Sequence, residues 1–65
     1  MSPIGPTTRL AAVARRIDEL AVERDALILA LRAEGMTLRA IASHAGMTHV
    51  GVMRVIQRAE AAVNG

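Results

Sequence analysis

The sequence predicts an all-α fold for a single small domain of 65 residues. No Gly or Pro interrupts residues 7–34, where Ala, Leu, Arg and Glu dominate, as is typical of a helix. The tripeptide Gly-Met-Thr occurs twice, at residues 35–37 and 46–48, and it joins a helix-ending residue to a helix-starting one. Because the chain lacks Phe, Tyr and Trp, its core must be aliphatic and gives little stability by itself. We therefore expect three helices that rely on a partner.

The N-terminal part predicts a short arm and a long helix. Residues 1–7 contain two Pro and a Gly, which indicates a flexible arm. Either Thr7 or Thr8 is expected to cap the first helix, which we place at about residues 8–34. About 26 helical residues would span roughly 39 Å, which is long for so small a domain.

Apolar residues recur along this helix at alternating spacings of three and four, the heptad pattern of a coiled coil. Ala14, Ala21 and Ile28 widen the stripe on one side, and Arg24 is its polar position, which can set register or orientation. The residues of the pattern are Leu10, Val13, Ile17, Leu20, Arg24, Leu27 and Leu31.

This stripe predicts homodimerisation through the first helix, in a parallel or an antiparallel arrangement. A partner segment of only about 25 residues cannot cover roughly 39 Å of stripe as a single layer. The alternative is that the stripe merely packs on the later helices. The dimerisation residues are expected to be Leu10, Val13, Ile17, Leu20, Arg24 and Leu27.

Each Gly-Met-Thr unit predicts a joint between two helices. The Gly takes the left-handed conformation that ends a helix, and the Thr caps the next helix. The Met is placed as a hydrophobic staple against Ile41 in the first joint and Val52 in the second. The second helix is then predicted at residues 37–45.

A third helix is predicted at residues 48–62, followed by a C-terminal tail at 63–65, so that residues 35–62 form a helical pair. Spacing assigns an inward face to each helix of the pair. The inward residues are expected to be Leu38, Ile41, Ala42, Ala45, Val52, Val55, Ile56 and Ala59.

Charge is unevenly distributed along the chain, although the net charge is only +2. Residues 1–34 hold five Arg and five acidic residues, whereas residues 35–59 hold three Arg and two His without any acid. All eight basic residues of the chain are Arg, which suits bidentate contacts. The acid-free part is therefore where a polyanion would be met.

Residues 37–58, TLRAIASHAGMTHVGVMRVIQR, resemble a helix-turn-helix DNA-binding motif. With residues 23–34 as a first helix, the segment resembles the three-helix, homeodomain-like arrangement of small bacterial and phage regulators. It is also similar to the DNA-binding segments of resolvases and transposases. The residues that carry the resemblance are Ala42, Gly46, Met47, Thr48, Val52 and Val55.

The resemblance implies that the third helix enters the major groove of DNA. Gly51, in the first turn of that helix, departs from the pattern at a cost of about 1 kcal/mol relative to Ala; it either admits close approach of DNA or delays ordering until DNA binds. The implied base contacts are His49, Val50, Met53, Arg54 and Gln57. The implied contacts to the DNA backbone are Arg39, Ser43, His44, Thr48 and Arg58.

The expected function is sequence-specific binding of double-stranded DNA, as a repressor-like transcriptional regulator of a bacterium, plasmid or phage. One alternative is an accessory factor for recombination, replication or partition. Another is a helical protein-interaction module with a sigma-like or anti-sigma-like partner. The first alternative shares the DNA interface, whereas the second makes the Arg-rich face incidental.

Other classes of function have little support in the composition. Without Cys, Tyr or Lys, the chain offers few nucleophiles, and we expect no enzyme activity. His44 and His49 lack a third ligand, so no metal site or cofactor is expected. No secretory signal, membrane span or small-molecule site is evident, and we expect a cytoplasmic, nucleoid-associated protein.

Overall fold

The computed structural model describes residues 5–64, and this part of the chain contains three α-helices and no β-strand. Helix α1 is Pro6–Ala33, α2 is Leu38–Ala45 and α3 is His49–Asn64. The all-α prediction is confirmed. Helix α3 continues to Asn64, whereas its end was predicted at residue 62. Residues 1–4 of the predicted arm and residue 65 of the predicted tail lie outside the described residues.

Helix α1 begins earlier than predicted, at Pro6 rather than at residue 8. Gly5 is its N-cap, with φ −75° and ψ 168°, and no side chain caps the helix. The predicted capping role of Thr7 or Thr8 is therefore wrong. Pro at the first helical position has the φ that a helix needs and lacks only an N–H that would have no intrahelical partner.

A small aliphatic core holds the three helices together. It consists of Ile28 from α1, Ile41 and Ala42 from α2, and Val52 and Val55 from α3. Every residue of the predicted inward faces is buried or half-buried, so those faces are confirmed. The half-buried hydrophobic residues packed against this core are Leu31, Met36, Leu38, Ala45, Met47 and Ile56.

Ile28, which was predicted to widen the stripe of α1 on one side, packs against the later helices of its own chain. It is 2% exposed and is the buried residue of α1 within the described chain. Its side of α1 therefore faces α2 and α3. We call residues 28–59, which include this core, the C-terminal unit.

The first joint, residues 35–37, has the hydrogen bonds of a Schellman motif. The Met36 N–H donates to the Leu31 carbonyl at 3.1 Å, and the Gly35 N–H donates to the Arg32 carbonyl at 3.0 Å. Gly35 has φ 95°, in the region that favours glycine. Thr37 then caps α2, because its Oγ1 accepts a hydrogen bond from the Ala40 N–H at 3.2 Å.

The second joint, residues 46–48, repeats this geometry. The Met47 N–H donates to the Ala42 carbonyl at 3.0 Å, and Gly46 has φ 66°. Thr48 Oγ1 accepts from the Gly51 N–H at 3.0 Å. Both tripeptides therefore end one helix and start the next, as predicted.

Arg32 adds a contact to the first joint that the sequence did not predict. Its guanidinium donates to the Met36 carbonyl at 3.0 Å, so the side chain spans the turn from the last turn of α1. A basic side chain at a helix C-terminus also complements the partial negative charge there. The joint between α1 and α2 is thus held by side-chain as well as backbone hydrogen bonds.

The N-terminal half of α1, residues 6–20, projects away from the C-terminal unit. All of its residues are exposed, and the molecule measures 53 × 29 × 18 Å along its principal axes. Its exposed apolar residues include Leu10, Val13, Ile17 and Leu20. Within residues 5–64, no helix combines the length and the apolarity needed to cross a membrane.

Candidate nucleic-acid interface

Helix α3 presents a continuous exposed stripe on the side opposite the core. Because Val52 and Val55 are buried, the rotation of the helix about its axis is fixed. Residues spaced by four and three positions then share the outer face. Those residues are Val50, Arg54, Gln57 and Ala61, all exposed, and the exposed Arg58 lies beside them.

Met53 and His49 differ from this stripe. Met53 is half-buried and lines a shallow depression together with Arg32, Leu38 and Ile56. The 3.6-residue period places His49 on the same edge of α3 as Met53, although His49 is exposed. Of the five implied base-contact residues, the structure thus brings Val50, Arg54 and Gln57 onto one outward face.

Three of the implied backbone contacts lie on α2, and they occupy two different sides of that helix. Arg39 and Ser43 are both exposed and, four residues apart, share one face. His44 lies elsewhere: it is exposed but lines a groove against α1. Thr48 is exposed, and its Oγ1 already accepts the capping hydrogen bond of α3, which leaves its hydroxyl proton to donate.

Within the described residues, the Arg side chains of α2 and α3 form no ion pair with an acidic residue. The ion pairs of residues 5–64 are Arg16–Glu19 at 3.5 Å and Arg24–Asp25 at 2.9 Å, both in α1. Arg39, Arg54 and Arg58 take part in neither pair. Residues 35–59 contain no acid, and the exposed Glu60 is the first acid that follows them on α3, so the charged side chains between the first joint and Arg58 are positive.

Gly51 lies close to Met47 and Thr48 of the second joint. A Cβ at this position would lie 3.2 Å from Thr48 Oγ1 and 3.3 Å from Met47 Cε. The missing side chain therefore leaves room for the cap and the staple of the second joint. Helix α3 continues through Gly51, and the hypothesis that this glycine admits close approach of DNA stays a prediction.

A second feature, the α1–α2 groove, lies next to His44. This open groove has a volume of about 420 Å³ and an apolar floor. The side of the groove that α1 forms includes Leu20, Leu27 and Leu31, which belong to the heptad stripe of that helix. The groove is lined by Leu20, Glu23, Arg24, Leu27, Ile28, Leu31, Ile41, His44 and Ala45.

Among residues 5–64, no three His, Cys, Asp or Glu side chains lie close enough together to hold a metal ion. The arrangement offers instead an Arg-bearing helix face, two helix N-termini and an apolar groove. A scan against protein-family models and searches of curated proteins and solved structures returned no match for this chain.

Proposed function

We propose that the chain binds double-stranded DNA sequence-specifically, as a repressor-like transcriptional regulator. The observation that carries the proposal is the outward stripe of α3, where Val50, Arg54 and Gln57 share one exposed face. It lies within a segment that contains Arg and His but no acid. A helix of this kind fits the major groove, where base edges present hydrogen-bonding groups and thymine methyls.

The stripe offers a distinct contact for each kind of base edge. Arg54 has the bidentate geometry that suits guanine O6 and N7, and Gln57 suits adenine. Val50 is 54% exposed and supplies an apolar surface for a thymine methyl. These residues are separated by single helical turns of about 5.4 Å, so they would contact different base pairs along the groove.

Phosphate contacts would come from the residues around the stripe. Arg58 lies beside it on α3, and Arg39 and Ser43 share an exposed face of α2. The first amides of α3, at His49 and Val50, remain free to donate to a phosphate, because the cap engages the N–H of Gly51. In this arrangement α2 and α3 act as a helix-turn-helix, with the C-terminal part of α1 completing a homeodomain-like unit.

Pairing of two copies through α1 would give the protein two recognition helices and a palindromic site. An accessory role in recombination, replication or partition would use the same interface. Mapping the bound site to a promoter, an attachment site or an origin separates these roles.

The test is selection of bound duplexes from a random pool, followed by titration of the best duplex at increasing salt. We expect a recurring sequence and a steep fall in affinity with salt, because several phosphates are neutralised. Arg54→Ala should weaken binding by about 1–3 kcal/mol and relax specificity at about one base pair. Arg15→Ala, an equally exposed position in the projecting half of α1, is the matched control and should leave specificity unchanged.

A second candidate function is a helical protein-interaction module, which the exposed apolar residues of α1 favour. In that case the Arg residues of α2 and α3 would be incidental. Failure to enrich any duplex at micromolar protein, or an affinity that does not change with salt, would support this candidate over DNA binding.

A further inference from the structure

We propose that two copies of the chain pair through α1 in an antiparallel arrangement, each inserting the projecting half of its α1 into the α1–α2 groove of the other. In the inferred register, Ile17 lies opposite the partner's Leu20. The inference deepens the proposed function by fixing how its dimer is built, and it is tested without DNA.

The groove and the projecting half of α1 have matching lengths. Between Leu10 and Leu20 the helix rises about 15 Å, and between Leu20 and Leu31 about 17 Å. The first segment has apolar residues and no covering helix, whereas the second borders an open groove. Antiparallel pairing centred between Ile17 and Leu20 places Leu10 beside the partner's Leu27, which lines the groove. Each apolar surface thus covers the other.

Charges beside the stripe favour the same orientation. With Leu10 and Ile17 at heptad position a, position g holds Arg9, Arg16, Glu23 and Ala30, and position e holds the uncharged residues Thr7, Ala14, Ala21 and Ile28. In a parallel pair each g residue faces an e residue, so no opposite charges meet. In an antiparallel pair g faces g, and Arg16 lies opposite the partner's Glu23 twice per dimer. Glu23 has no ion-pair partner within residues 5–64.

Arg24 also discriminates between the two orientations. In a parallel pair the two Arg24 side chains would share one layer of the seam and repel each other. In the antiparallel register, Arg24 faces the partner's Val13. Its guanidinium contacts Asp25 of its own helix at 2.9 and 3.1 Å, so the aliphatic stem is left to pack against that valine.

The position of the C-terminal unit fits this arrangement. Ile28, at position e, is the α1 residue buried against α2 and α3, so the unit lies on the e side of α1. Position e faces e in an antiparallel pair, and both units therefore lie on the same face of the dimer. Leu31 and the partner's Leu31 would be roughly 37 Å apart along the pair, so the two units lie near opposite ends of the dimer.

Disulfide trapping tests the orientation, since the chain has no Cys. Leu10→Cys mixed with an epitope-tagged Leu27→Cys should give a crosslinked heterodimer under mild oxidation, while neither variant crosslinks to itself. In the antiparallel register the two copies of position 27 are about 25 Å apart, too far for a disulfide. Self-crosslinking of Leu27→Cys would show a parallel pair and overturn the proposal.

Charge reversal tests the register by complementation between chains. Arg16→Glu and Glu23→Arg should each weaken self-association roughly tenfold, and a mixture of the two should form heterodimers of near wild-type affinity. Arg15→Glu replaces Arg16→Glu in the control mixture, because position 15 faces away from the seam; no heterodimer preference is expected there. Equal behaviour of both mixtures would overturn the register.

Sedimentation of the wild-type chain alone tests the pairing itself. A monomer at all concentrations up to millimolar would overturn the proposal, and would leave binding of single half-sites by α3 intact. Conversely, a crosslinked antiparallel dimer that selects no duplex would support the pairing and contradict DNA binding. The two proposals therefore fail independently.

Discussion

The projecting half of α1, residues 6–20, and the C-terminal unit, residues 28–59, use similar apolar residues in opposite ways. Ile17 is 60% exposed, whereas Ile28, on the same helix, is 2% exposed. Both continue one helical pattern in the sequence. The difference is that α2 and α3 fold back only as far as Ile28. A heptad pattern thus indicates that a helix face will be covered, and it does not say by which chain.

The intramolecular core is small, and this limits the stability of the C-terminal unit. Among residues 5–63, five are buried, and the largest fully buried side chains there are Ile41 and Val52. Domains of this size bury a small share of their surface and are marginally stable alone. We therefore expect pairing through α1 and folding of the C-terminal unit to be coupled, so that stability rises with protein concentration.

The largest effect is expected from Leu20→Asp, at the centre of the proposed seam. Two leucines per dimer, each contributing about 1.5–3 kcal/mol when fully buried, would be replaced by desolvated carboxylates. The dissociation constant should rise by a factor of about 100 or more, as measured by sedimentation equilibrium. Val22→Asp is the matched control, because Val22 is 69% exposed and faces away from the stripe. Equal weakening by both variants would show that the stripe is not the interface.

The next effect concerns the C-terminal unit and compares two valines of α3. Val52→Ala should lower the free energy of unfolding by about 2–3 kcal/mol, since Val52 is 0% exposed and its truncation leaves a cavity. Val63→Ala should change it little, because Val63 is 85% exposed. Urea denaturation at one fixed protein concentration measures both. A comparable loss in the two variants would contradict the assignment of the core.

The two joints should respond in the same way to loss of their glycines. Gly35→Ala and Gly46→Ala should each cost about 1–2 kcal/mol, because a side chain is disfavoured at φ 95° and 66°. Neither added Cβ would meet an atom within 4 Å, so the cost is conformational. Gly46→Asn should cost less, since Asn tolerates the left-handed region better than Ala. Urea denaturation would contradict this account if Ala and Asn were equally tolerated at residue 46.

The smallest effect is expected at Gly51. Replacement by Ala gains about 1 kcal/mol of helix propensity, but the new Cβ crowds Thr48 Oγ1 and Met47 Cε. These effects oppose each other, so the free energy of unfolding should change by less than about 1 kcal/mol. Affinity for a selected duplex should stay within a few-fold. A large loss of DNA affinity with unchanged stability would support the hypothesis that Gly51 admits close approach of DNA.

The local signals of the sequence predicted the joints and the inward faces well. Each Gly-Met-Thr unit combines a conformational requirement with a cap, and neither depends on distant residues. Pro6 was misassigned to the arm, because Pro breaks helix interiors yet suits the first helical position. Its position relative to the cap decides between these roles.

Features that depend on tertiary contacts could not be predicted. Ile28 fits both the stripe and the core by spacing, and only the path of α2 and α3 assigns it to the core. Met53 lies on an edge of α3 whose burial depends on Arg32 and Leu38 of other segments. The space around Gly51 depends on where the Met47 side chain lies. Helix propensity alone cannot predict that position.

The most direct measurement is a hydroxyl-radical footprint on the best duplex selected from a random pool. We expect two protected patches on one face of the DNA, about one helical turn apart and related by a dyad, with two chains bound per site. Protection should be lost together in both patches for Leu20→Asp. A single asymmetric patch bound by one chain would contradict the paired arrangement, and no protected site on any selected duplex would contradict DNA binding itself.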